Sequence, residues 1–122
     1  MSLQDLRETV AAYYTGDFYQ TSIYPPQMPL PNSIIITAGD PYVEVLTLGS
    51  VSTIKVNMIL VLTVPMMDNQ GGLNAIETLI EEVLTNTPND VLIRNATRPS
   101  VLSLSSGDLL TSEIGLEILA TI

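Results

Sequence analysis

A chain of 122 residues is long enough for one domain with a real core and too short for two, so a single domain spanning 1–122 is expected. Charged residues make up only 14% of it, well under the roughly 25% of an average soluble chain, and the formal net charge is −9. There is no Cys and no His, which excludes disulfides, thiol nucleophiles, imidazole bases and His-based metal sites together.

The four basic residues, Arg7, Lys55, Arg94 and Arg98, are too few to neutralise a nucleic-acid backbone, whose affinity for proteins comes mainly from Lys and Arg on phosphates. A surface this acidic suits a passage along which DNA slides without sticking. A chain so sparing with charge is expected to cover part of its surface with another chain. No signal peptide is read at the N-terminus. The apolar run from Met58 to Met67 is too short to span a bilayer and is broken by Thr63 and Pro65, so no membrane association is expected.

Taken in order, residues 2–14 read as a helix. Leu3, Leu6, Val10, Tyr13 and Tyr14 share one arc, and Ser2 with Asp5 forms a capping box. Asp17 to Asn32 reads as a loop stiffened by Pro25, Pro26, Pro29 and Pro31. Ordered loops of that length in small domains are functional, packed on a partner, or simple connectors over the sheet. Tyr24, Met28 and Leu30 are its candidate contact residues. Ser33 to Ala38 reads as a central strand, apolar on both faces, followed by a Gly39-Asp40-Pro41 turn.

Tyr42 to Val64 reads as a long hairpin turning at Gly49-Ser50. Setting Leu48 opposite Val51 places Val45 against Ile54, Glu44 against Lys55 and Val43 against Val56. One face then carries Val43, Val45, Ile54, Val56, Met58, Leu60, Leu62 and Val64, a core face. The other carries Tyr42, Glu44, Leu46, Leu48, Val51, Lys55, Asn57, Ile59 and Val61, too apolar for open water and too charged for an ordinary core. Leu46, Leu48 and Val51 cluster at the hairpin tip on that second face, which makes them the candidate oligomer or partner interface.

A second helix is expected from about Gly71 to Thr85, with Leu73, Ile76, Leu79, Ile80, Val83 and Leu84 on its apolar arc and Pro88 stopping it. Val91 to Ile93 reads as a short strand and Arg94 to Pro99 as loop. Val101 to Leu104 reads as a strand, Ser105 to Asp108 as a turn, and Leu109 to Ile122 as a last strand. In that last strand Ile114, Leu116, Ile118, Ala120 and Ile122 point inward, and Glu113, Gly115, Glu117 and Thr121 outward. The expected class is α+β: a mostly antiparallel sheet with a long hairpin and two packed helices.

Catalytic material is limited to carboxylate pairs, Glu77 with Glu81 and Glu113 with Glu117, and both fall on faces expected to be solvated. Asp40, Asp68 and Asn69 fit turns and caps better than a calcium loop. Gly71-Gly72 has no lysine beside it to make a phosphate loop, and Ser105-Ser106 has no base. Neither an enzyme, nor a cofactor, nor a metal site is expected.

Several stretches nonetheless resemble one family from nearly end to end. They are the short first helix, the proline-rich segment, and Asn-Ser-Ile-Ile-Ile-Thr-Ala-Gly-Asp-Pro-Tyr at 32–42. Val64-Pro65-Met66-Met67-Asp68-Asn69 then leads through Gly71-Gly72-Leu73 into a helix that ends at a proline, and Gly107-Asp108-Leu109-Leu110 precedes the alternating final strand. In these the chain resembles the tail terminator proteins of long-tailed (siphovirus-type) bacteriophages. It departs from them at Tyr42, where the family favours tryptophan, and in its low basic content.

The resemblance implies a structural virion protein at the tail–neck junction, assembled in the host cytoplasm. It would form a homohexameric ring that caps the tail tube, stops its polymerisation and meets the head–tail connector or stopper protein. DNA would pass through the lumen without specific binding. The competing class is a small acidic dimeric binding module of secretion-chaperone type.

Overall fold

The computed structural model describes residues 2–24, 30–46, 53–66, 69–105 and 107–121, the side chains of 69 and 70 excepted. Its class is the expected one. The elements are α1 (Leu3–Tyr13), β1 (Gln20–Ser22), β2 (Ser33–Val45), β3 (Thr53–Pro65), α2 (Asn69–Asn86), β4 (Val91–Ala96), β5 (Ser100–Leu104) and β6 (Gly107–Thr121). They form one sheet in the order β1-β2-β3-β6-β4, with β5 also paired to β6. All the pairings are antiparallel except β1 on β2.

The register at the end of the hairpin is the one that cross-strand chemistry selects: Val45 opposite Ile54, Glu44 opposite Lys55, and Val43 opposite Val56. Its expected turn, with Leu48 and Val51, lies outside the described residues. Alternation along β3 then sends Ile54, Val56, Met58, Leu60, Leu62 and Val64 to one face, where all are buried. Leu6 and Val10 of α1, Tyr14 at its C-cap, and Ile76, Leu79 and Val83 of α2 join them in a single core. Both helices thus stack on the same face of the sheet. The Ser2–Asp5 capping box is formed, which satisfies two backbone donors at the start of α1. The Tyr14 hydroxyl reaches Thr87 at 2.8 Å and links the end of α1 to the end of α2.

Five expectations need correction. First, Gly39-Asp40-Pro41 does not end a strand. β2 runs through it, and Gly39, Asp40, Pro41 and Tyr42 together stand opposite Asn57, between the pairs Ala38–Met58 and Val43–Val56. Residues that make a turn serve equally well in a bulge, where ladder bonds are interrupted anyway. The Asp40–Pro41 peptide is cis, and the Asn57 amide donates to the Pro41 carbonyl at 2.8 Å. A Cβ on Gly39 would meet the Asn57 backbone oxygen at 2.8 Å. Gly39→Ala is therefore expected to cost about 1–3 kcal/mol by overpacking, read as a lower urea midpoint. An unchanged midpoint would mean that the bulge relaxes freely.

Second, β2 is interior only over Ser33–Ile35, where it is paired on both sides, and it is not the middle of the sheet. β3 and β6 are, and β2 has only the three-residue β1 beyond it. Third, the stretch 17–32 is not all loop, because Gln20–Ser22 pairs in parallel with β2. Its polar side chains carry no strand pattern; the buried Tyr19 and a bond from the Thr21 hydroxyl to the Tyr14 carbonyl hold it in place. Fourth, Arg94 to Ala96 continue β4 instead of starting a loop. Fifth, Leu73, Leu84 and Val45 are exposed, not core. The two leucines lie at the edge of the α2 arc, and Val45 stands beyond the covered part of its strand.

The open face of the sheet as a candidate interface

Opposite the helices, the same strands present Glu44 and Leu46 from the β2 end, Lys55, Asn57, Ile59 and Val61 from β3, Leu92 and Arg94 from β4, and Glu113, Gly115, Glu117 and Leu119 from β6. Among the described residues, no helix covers this face. Leu119 and Leu92, at 65% and 59% exposure, are the two most exposed large apolar side chains among the described residues. They border a groove of about 280 Å³ whose other walls are Lys55, Asp90 and Glu117.

A ladder of ion pairs crosses the face, one residue from each of four adjacent strands. Lys55 Nζ lies 2.7 Å from Glu44 and 3.3 Å from Glu117, and Glu117 lies 2.9 Å from the Arg94 guanidinium. Gly115 makes room for it: the Arg94 Cδ lies 3.2 Å from where a Cβ at Gly115 would sit. Lys55 is held protonated, above its ordinary 10.5, by its hydrogen bonds to Glu44 and then Glu117. An amine kept as ammonium is neither nucleophile nor base. Hydrogen bonding from Lys55, and secondarily from Arg94, holds the Glu117 carboxyl below its ordinary 4.5.

The expectation that Glu113 and Glu117 are both ordinary solvated carboxylates fails at Glu117. Its side chain keeps only 15% exposure. The sign of its effect on stability follows. A carboxyl with a lowered folded-state value stabilises above its unfolded value, and that contribution is lost as pH falls through the folded one. The melting temperature of Glu117→Gln is expected below that of wild type near neutrality, with the gap closing as pH drops past the ordinary 4.5. A gap independent of pH would mean that lost packing, not charge, is responsible.

The structure does not gather the sequence-derived interface residues into one patch. Leu46 is 52% exposed and its amide donates to the Thr53 carbonyl, at the start of β3. Leu30 is also exposed, but its carbonyl accepts from the Thr63 hydroxyl near the other end of β3. Ten residues of strand, about 33 Å, separate the two sites. Tyr24 is exposed and lies on a third site: the Arg7 guanidinium stacks over its ring at 5.0 Å and donates to the Tyr42 hydroxyl at 3.3 Å. Leu48, Val51 and Met28 lie outside the described residues.

Leu92, Leu119 and Arg94 are the face residues that sequence reasoning missed. The alternation of β6 is the signal for Leu119, since it shares parity with Glu113 and Glu117. Among the described residues, no group of three or more side chains is placed to hold a metal ion, and no helix is long and apolar enough to cross a membrane. No protein-family model and no curated protein matches the chain.

Proposed function

We propose that this protein is a ring-forming structural component of a phage tail, of the tail-terminator kind. It caps the tail tube as a homohexamer, meets the head–tail connector, and leaves DNA a passive, acidic passage. The observation that supports this reading best is the distribution of apolar surface. Both helices are spent on one sheet face, while Leu46, Leu92 and Leu119 stand exposed on the other. In a chain with 14% charged residues, such a surface is stable in water chiefly by meeting another subunit. The motifs at 32–42 and 64–69 carry the family part of the reading.

The test is to image the purified protein by negative stain, alone and with tail tubes, and to weigh it in solution. Rings of six, or a monomer that assembles on tube ends, are expected. A protein that stays a dimer under both conditions points instead to the chaperone-type module. With net charge −9, the assembled protein should not shift duplex DNA in a gel at moderate salt, since few counterions can be released. Tight, salt-sensitive binding would sink the passive-passage reading.

A further inference from the structure

We infer that the open sheet face pairs with the same face of a second copy of this chain, about a two-fold axis that crosses the charge ladder at its midpoint. The order of charges across the strands is Glu44, Lys55, Glu117, Arg94: minus, plus, minus, plus. An alternating row of even length is its own complement when reversed. A two-fold axis lying in the interface, between Lys55 and Glu117, reverses it. Glu44 then faces Arg94 of the second copy, and Lys55 faces Glu117 of the second copy, each twice. Any other reading direction sets like charges opposite each other. Register makes the row diagonal: Glu44 and Lys55 are level with Leu119, Glu117 lies two residues further along the strands, level with Leu92, and Arg94 lies beyond it. The row therefore spans roughly 20 Å and the axis runs oblique to the strands, as in orthogonal sheet packing.

The apolar residues obey the same symmetry. Register places a leucine two residues from the charge on three of the four strands, always towards the same end: Leu46 beside Glu44, Leu119 beside Glu117, Leu92 beside Arg94. The axis that reverses the charges leaves this leucine stripe on its own side, so leucines meet leucines. The ladder is formally neutral within a chain of net charge −9, and it uses two of the four basic residues. Burying it therefore strands no unpaired charge, which is the usual cost of covering ionic groups. An unrelated partner would have to supply the opposite alternation at the same spacing; a second copy supplies it by symmetry.

The pairing does not rest on the ring. Alone it gives a dimer, and in a ring former it stacks one ring on another.

The experiment is a complementation by mass in solution, from low to high micromolar, with the full chain. Glu44→Arg sets arginine against Arg94 of the second copy, and Arg94→Glu sets glutamate against Glu44. Each variant alone is expected to pair at least about tenfold more weakly than wild type. An equimolar mixture of the two restores opposite charges at every position and is expected to pair again. Leu119→Asp is expected to abolish pairing, with far-UV circular dichroism unchanged. The inference is overturned if wild type shows no even-numbered assembly, if the single variants pair like wild type, or if the mixture stays as weak as its components. A wild-type hexamer that keeps its mass in Glu44→Arg, Arg94→Glu and Leu119→Asp sinks the pairing and leaves the ring intact. A mass of two supports the pairing, and it sinks the ring if the protein stays a dimer with tail tubes present.

Discussion

Leu60→Ala is expected to lower the stability of the protein by about 2–5 kcal/mol, the cost of emptying a fully buried leucine site. Leu60 is on β3, opposite Ile36 of β2 and Ile114 of β6, and all three are buried in the cluster that both helices cover. Neighbours fixed by two strand ladders and two helices collapse poorly into a cavity, which argues for the upper part of the range. The control is Leu119→Ala on the open face. Its parent side chain is 65% exposed in the isolated subunit, so at concentrations where subunits are dissociated the loss should stay within about 0.5 kcal/mol. Urea unfolding of both variants reads the difference. Equal losses would mean that the open face is covered within the subunit, which would remove the case for an interface there.

How far the fold can be read from the sequence follows from which interactions are local. The β2–β3 register is legible because period-two alternation, one lysine and its glutamate partner all select it. The extents of α1 and α2 are legible from a cap and from periodicity. Gly39-Asp40-Pro41 is not, since the same residues suit a turn and a bulge; only the Asn57 amide on the Pro41 carbonyl decides between them. β1 is invisible because its residues are polar and carry no alternating apolar pattern. β4 looks too short because Arg94 and Asn95 fall at a register shift between the paired Ile93 and Ala96, where strand alternation breaks.

The candidate site divides in the same way. Glu44 with Lys55 is a pair across one hairpin, close in sequence and readable there. Glu117 and Arg94 join it only because β6 lies between β3 and β4, an order set by non-local packing. The exposure of Leu73 and Leu84 likewise depends on how α2 is rolled against the sheet, which periodicity alone fixes only to within a residue or so at the edges of the arc.

Leu46→Asp is expected to leave a folded subunit that no longer forms rings. Leu46 is half exposed and follows the last residue of β2, so a charge there meets water in the isolated subunit and the melting temperature should hardly move. In an assembled ring the same carboxylate would be driven into an apolar contact with no cation to meet it, and such burial is costly enough to remove assembly outright. Leu46 also stands in the leucine stripe of the open-face pairing, so Leu119→Asp is the control: it removes that pairing while leaving the hairpin end intact, and rings that survive Leu119→Asp but not Leu46→Asp are built through the hairpin end. Negative-stain imaging and solution mass of both variants separate the two surfaces. If Leu46→Asp instead melts well below wild type, Leu46 belongs to the subunit's own core. If it forms rings at wild-type yield, the hairpin end is not where subunits of the ring meet.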